Sequence, residues 1–319
     1  MPSYSGVWTL SQQFQAVGQG LWPPNYVPPT GVFGGGFTTV NINTMQYISI
    51  ATTGNAISFG QLAVATNAMA GCSSSTRGLF GGGNTSATGK NTVAIYFITF
   101  ASAGNSTSFG SLGTGREALG GCSNSTRGLF AGGEGLSFNS LIEYVTIATT
   151  GSATSFGNLS TQRIWTAGSA SPTRGLFFNG ENTVARQSSI DYVTIATTGS
   201  TASFGNTITA NFRIASCASS TRALVAGGYP SSNTNAIEYV TIAATGNSVS
   251  FGQLTRATSN FSGCSSETRG VFGGGALFGN NNVIDYVTIA TTGNAIDFGD
   301  LLAATALTAA CSNAHGGLA

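Results

Sequence analysis

The chain has 319 residues, 46 of them glycine, with a formal net charge of +1 and only 7% charged residues against roughly 25% in an ordinary soluble domain. No apolar run approaches the ~18 residues that a membrane helix needs, and the 41% hydrophobic residues, spread along the whole chain, are too many for a disordered one. The absence of a Lys/Arg cluster excludes the basic footprint of a nucleic-acid binder, and a single lysine, Lys90, excludes a polybasic membrane anchor.

Residues 1–20 have neither the basic start nor the continuous apolar stretch of a signal peptide. Residues 3–29 stand outside the pattern that follows. Thr9 or Ser11 caps a short predicted helix through about Val17, with Leu10, Phe14 and Val17 on one stripe. Pro23, Pro24, Pro28 and Pro29 then make a stiff connector. Residues 1–30 form either a cover folded back on the domain or a docking segment, with Trp8, Leu10, Phe14 and Trp22 as its apolar contacts.

From residue 31 the chain repeats. Gly-Val-Phe-Gly-Gly-Gly at 31–36 returns in variant form at 78–83, 128–133, 175–180, 223–228 and 270–275, at spacings of 47, 50, 47, 48 and 47, and a seventh start falls at 317–319. Each unit next carries a run rich in Val, Ile, Tyr and Thr (46–51, 96–101, 143–148, 191–196, 238–243, 285–290). A Gly turn leads to a short strand ending in Phe-Gly at Phe59, Phe109, Phe156, Phe204, Phe251 and Phe298. A small-residue strand closes the unit, marked by Cys72, Cys122, Ser169, Cys217, Cys264 and Cys311. Four short strands in ~47 residues, six times over with no helical period, predict an all-β, six-bladed β-propeller over residues 31–319. A β-solenoid is the alternative, but its coils are usually shorter and it would want distinct end caps. We name the strands of a blade A (the Cys strand), B (Leu-Phe-Gly-Gly), C (Tyr-Val-Thr-Ile) and D (Ser-Phe-Gly). The chain enters blade 1 on strand B and ends after an A strand at 309–312, which closes the ring by completing blade 1.

The hydrophobic strand ending in Gly-Gly at 129–133, the aromatics Tyr144 and Phe156 on the next two strands, and Arg163 in the following connection resemble the kelch motif. The last-strand aromatic departs from that motif in being Phe rather than Trp, and the arginine recurs only as Arg116 and Arg163. A second resemblance rests on Gly-Val-Trp-Thr-Leu-Ser-Gln-Gln-Phe at 6–14, Gly-Leu-Trp-Pro at 20–23 and Tyr-Val-Thr-Ile-Ala-Thr-Thr-Gly at 144–151. These runs are similar to repeat-containing virion structural proteins of marine tailed phages. The resemblance implies a tail-associated protein or capsid appendage, made in the host cytoplasm and carried in the virion, with other virion proteins as partners.

Adjacent strands are antiparallel, so AB and CD connections share one face of the disc and BC and DA connections the other. The AB turns are nearly identical, each with an arginine (Arg77, Arg127, Arg174, Arg222, Arg269) expected to bond neighbouring carbonyls or turns, or to dock an acidic partner. The BC loops (37–44, 84–92, 134–140, 181–189, 229–236, 276–283) differ in every blade, which makes the BC/DA face the candidate ligand-binding face. With Trp165, the residues Phe37, Asn84, Glu134, Glu181 and Tyr229 form the candidate site, where aromatics would stack and Asn or Glu would accept hydroxyl hydrogen bonds from a host-surface glycan. The strand-start acids Glu143, Asp191, Glu238 and Asp285 recur and are read as structural.

Catalysis has little to work with. The one histidine, His315, is expected to be an ordinary residue of the repeated turn, so imidazole-based nucleophilic catalysis and zinc or copper ligation lack support. The five cysteines share one repeat position, which disfavours disulfides and suggests small buried hydrophobes near the axis. Glu134 and Glu181, in neighbouring blades, are the one carboxylate pair that a glycosidase could use, the least favoured alternative; they read as solvated loop residues. The expected function is a non-enzymatic virion protein without a cofactor, displaying a variable face; a stand-alone lectin or adhesin is the alternative.

Overall fold

The computed structural model describes residues 28–85, 90–277 and 279–318. The segment expected to dock, with Trp8, Leu10, Phe14 and Trp22, lies outside them. The chain forms a six-bladed β-propeller of four-stranded antiparallel sheets. Blade 3 is representative, with strands Gly120–Ser123, Arg127–Ala131, Leu141–Thr146 and Thr154–Asn158 in the order A to D. Blade 1 takes its A strand, Ala309–Ser312, from the far end of the chain and pairs it with Thr30–Gly34, Val32 opposite Cys311. The C strands begin two residues before the apolar runs seen in the sequence, four before in blade 4. The final two residues of each run turn out of the ladder, and in five blades their carbonyls serve a turn arginine of the neighbouring blade, as Ile147 and Ala148 serve Arg77.

Each junction between blades is built on positions that lack a side chain. Cys72 packs on Gly128, Cys122 on Gly175, Cys217 on Gly270, Cys264 on Gly31 and Cys311 on Gly78, so closely that a Cβ on any of these glycines would stand within 2.8 Å of sulfur. The B-strand rings do the same: Phe80 lies on Gly34, Phe130 on Gly81 and Phe33 on Gly273. Each buried ring contributes about 1.5–3 kcal/mol relative to exposure. The junction of blades 4 and 5 differs at both places. Ser169 and Ala223 replace the Cys and the Gly, and Phe178 faces Val225 where other junctions set a small residue against Phe. In each exchange, one partner shrinks as the other grows, which keeps the packed volume nearly constant.

The outer edge is closed as well. Gly151 N and Ala153 N of blade 3 donate to Phe109 O and Ser111 O of blade 2 at 2.8 Å, so a CD turn covers the neighbouring D strand. This pattern repeats around the ring, in blade 2 through Ser106 N to Gln61 O alone, and covers the D-strand edges among the described residues. A Cβ on Gly252 would overlap Gly293 O, which explains the invariable Phe-Gly of strand D. The AB-turn arginines reinforce five junctions. Arg127 lies 4.6 Å over the Tyr144 ring and donates from Nη1 to Ile195 O at 2.9 Å and Ala196 O at 2.8 Å. The strand-start acids hold the DA connections: Glu143 accepts from Gly113 N at 2.8 Å and Arg116 Nη2 at 2.7 Å, and Asp191 accepts from Ser160 N and Arg163 Nη2, both at 2.9 Å.

The exchange at the blade 4–5 junction is testable as a double-mutant cycle. Ser169→Cys alone should destabilise by about 1–3 kcal/mol by overpacking against Ala223. Adding Ala223→Gly should recover most of that loss, giving a coupling of about 1 kcal/mol or more in urea unfolding. Additive effects would mean that the two positions do not share the packed volume.

Candidate functional site

On the BC/DA face, the chain leaves each B strand through two residues held at positive φ, glycines such as Gly132 at +66° and Gly133 at +96° in five blades and Asn179 with Gly180 in blade 4. The next residue then pairs with the DA connection of the preceding blade. Phe37 pairs with Ala306, Glu134 with Glu117 and Glu181 with Ile164, while Asn84 joins Asn67 and Tyr229 N donates to Phe212 O at 3.0 Å. Five of the six residues expected to bind ligand are therefore equivalent rim positions tied down by backbone. Trp165 lies one step further in.

The mouth of the axial channel is a ring of Ala68, Ala118, Trp165, Arg213, Asn260 and Leu307, one per blade, all left-handed with φ between 53° and 58°. Backbone bonds link them around the axis: Ala118 N to Ala68 O (2.9 Å), Trp165 N to Ala118 O (2.8 Å), Asn260 N to Arg213 O (3.1 Å), Leu307 N to Asn260 O (2.7 Å) and Ala68 N to Leu307 O (3.0 Å). Among the described residues, the ring is open only between Trp165 and Arg213. A left-handed non-glycine residue costs about 1–3 kcal/mol and persists only where its surroundings enforce it; such residues cluster at ligand sites. The ring lines a pit of about 70 Å³ together with Met69, Ile214 and Phe261.

The chemistry gathers at the open side of the ring. The Arg213 guanidinium lies 4.9 Å from the Phe212 ring centre and 5.4 Å from that of Trp165. Arg186 lies 5.0 Å from Phe212 and 5.6 Å from Tyr229, and donates from Nη1 to Pro230 O. Phe212 and Tyr229 meet edge to face at 6.1 Å. Burial lowers the Arg213 pKa; the Glu181 carboxylate acts the other way, and Arg186 adds to the lowering. Among the described residues, neither guanidinium has a carboxylate within ion-pair distance, and Arg186 Nε, Arg213 Nε and Asn260 Oδ1 are buried without hydrogen-bond partners.

Blades 2 and 3 carry the opposite charge. Glu117 and Glu134 exchange backbone hydrogen bonds at 2.9 Å. Burial, aided by the Glu134 charge, holds the Glu117 carboxyl above its usual range despite a hydrogen bond from Asn84 Nδ2 at 3.5 Å. Glu134 is thus paired with Glu117, while Glu181, weighed above as its partner, is tied to Ile164. The BC loops also share more than their sequences suggest. Asn41, Asn91, Asn233 and Asn280 each donate to a rim carbonyl of the next blade, at 2.9, 2.6, 2.7 and 2.7 Å respectively, and Arg186 takes this place in blade 4. Among the described residues, the loop tips expose Val40, Leu136, Val184 and Leu277. Sequence reasoning missed Phe212, Arg213, Asn260 and Arg186. The available signal was the unit-by-unit series Ala, Ala, Trp, Arg, Asn, Leu just before strand A.

At the other end of the channel the five cysteines are free and buried, and burial pushes the Cys122 thiol up to about 12. Two expectations are corrected here. His315 is no ordinary turn residue: its Nε2 lies 3.1 Å from Ser73 O and 3.3 Å from Ser123 Oγ, across the channel end. Gly316–Leu318 is a 3₁₀ turn rather than a seventh strand B. It fits against the A strand of blade 4, Ala167–Ala170. Here Ala170 and Ala218 stand where Ser73, Ser123, Ser265 and Ser312 carry hydroxyls that bond neighbouring carbonyls.

No protein-family model matches this chain, and no curated protein matches it at a significant level.

Burial lowers the His315 pKa to about 4 against the ordinary 6.5, more than offsetting the Ser73 carbonyl. The neutral ring's contribution to stability is therefore complete above pH 6.5 and is lost as the pH falls through about 4. Thermal unfolding of wild type and His315→Gln should show the wild-type advantage shrinking between those pH values. A constant difference would mean that the imidazole does not titrate with folding.

Proposed function

We propose that this chain is a non-enzymatic, kelch-like propeller of a tailed-phage virion, tail-associated or a capsid appendage, that docks through residues 1–30 and turns its BC/DA face to the host surface. The observation that carries this reading is a division between faces. The residues that differ from unit to unit, including Trp165, Arg213 and Tyr229, converge on the BC/DA mouth, while the chain enters strand Thr30–Gly34 from the opposite face. The virion assignment draws on the resemblance of residues 6–14 and 144–151. A free-standing lectin would use the same mouth, and the aromatic and polar lining of the pit favours it as the second reading.

Removing residues 1–24 should leave a propeller with an unchanged unfolding temperature that no longer joins particles. Particles carrying Tyr229→Ala with Leu136→Ser should assemble normally and adsorb to cells about tenfold less, as loss of an interface anchor implies. Incorporation of the truncated chain would defeat the docking assignment, and wild-type adsorption of the loop variant would defeat the assignment of the face.

A further inference from the structure

We propose that the pit beside Trp165 and Arg213 is a subsite for an acidic saccharide, its carboxylate held by Arg213 and one of its hydroxyls by Asn260; this rests on the BC/DA face being the ligand-binding face.

Nine of the ten arginines divide by partner, and the tenth, Arg256, acts on Asp285. The five turn arginines donate to carbonyls and cover C-strand rings, as Arg174 does on Ile242 O, Ala243 O and Tyr192. Arg116 and Arg163, fully buried, also leave Nε unbonded but hold Glu143 and Asp191. Arg186 and Arg213 share one corner of the mouth with no ion pair among the described residues, and Arg213 makes no side-chain hydrogen bond there. A half-buried guanidinium whose Nε is shielded from water and unbonded is costly. Two of them, with Glu181 as the one carboxylate acting on Arg213, leave a positive excess where water is partly excluded. A carboxylate relieves this best, since it accepts two parallel N–H bonds from one guanidinium edge.

The second buried orphan narrows the class. Asn260 Oδ1 can only accept. Asn260 adjoins Arg213 in the ring through its N–H to Arg213 O bond at 3.1 Å. The ligand must therefore bring a donor close to its carboxylate. A uronic acid does so, with a hydroxyl on the carbon next to the one bearing the acid. A glutamate side-chain carboxylate comes on an aliphatic arm with no donor beside it. The pit of about 70 Å³ has room for roughly five waters, enough for a carboxylate and a hydroxyl-bearing edge of one sugar ring.

Trp165 lies in the pit, so a Trp8→Phe/Trp22→Phe version of the full chain, in which it is the remaining indole, reports binding directly. Titration with D-glucuronate should give a saturable emission change. D-glucose should bind at least tenfold more weakly, and glutarate should not displace the glucuronate. Arg213→Gln should erase the preference for glucuronate over glucose. Arg186→Gln, checked with the first variant for native circular dichroism, should weaken glucuronate about threefold or more and serves as the test if Arg213→Gln does not fold. Equal binding of glucuronate and glucose, or an undiminished preference in the arginine variants, overturns the subsite. Displacement by glutarate overturns its saccharide character. If neutral glycans bind this face without regard to Arg213, the subsite fails and the face assignment stands; if the Tyr229 and Leu136 changes leave adsorption untouched, the face assignment itself fails.

Discussion

Six sheets pack around one axis only if each lets its neighbour come closer than a side chain would allow. In this propeller the requirement is met at three levels: near the axis by Cys on Gly at five junctions, midway by Phe on Gly or Ala at five, and at the outer edge of every junction by a CD turn on the Phe-Gly glycine. The high glycine content and the scarcity of charge follow from it. Charged side chains are long, and among the repeated ones most are committed to holding one blade to the next. The turn arginines reach forward to the next CD turn, and the strand-start acids reach back to the previous DA connection.

The blade 4–5 junction obeys the rule by exchange rather than by repetition, and the same sector carries the other departures. Strand D of blade 4 runs ten residues, Ala202–Asn211, and Asn179 stands at φ 52° where other blades have glycine, its amide bonded to Thr207 Oγ1 at 2.7 Å. The longer strand leads directly into Phe212 and Arg213. Divergence of the scaffold and concentration of aromatic and guanidinium groups thus fall together, and the breach in the hydrogen-bonded ring lies beside them. A regular propeller would close that ring and present six similar residues around its mouth.

The repeat made the fold legible, because spacing, strand order and ring closure all follow from counting. It also exposed the turn arginines and strand-start acids as structural, since a residue present in nearly every unit must serve the unit. Phe37, Asn84, Glu134, Glu181 and Tyr229 were found by the same comparison, each following the same glycine. Arg213 and Asn260 were hidden because their common feature is a backbone angle rather than a residue type. The loop asparagines were hidden by loop length: Asn41 lies four residues beyond its rim position and Asn91 seven beyond its own. His315 was misread because it stands where the repeat predicts a turn threonine, while the chain there has already left the repeat to cross the axis.

Closing the ring on blade 1 brings Thr30 and Asn313 together, with Thr30 N donating to Asn313 Oδ1 at 2.7 Å and Asn313 N to Thr30 O at 3.2 Å. This arrangement has a mechanical meaning. Strand Thr30–Gly34 runs antiparallel between Thr44–Ser49 and Ala309–Ser312, so tension applied through the preceding connector acts along it while its ladder bonds lie crosswise. The load is shear, shared by two ladders at once, rather than a peel that opens one bond after another. A tether at this end of the chain would pull on the propeller where it resists best.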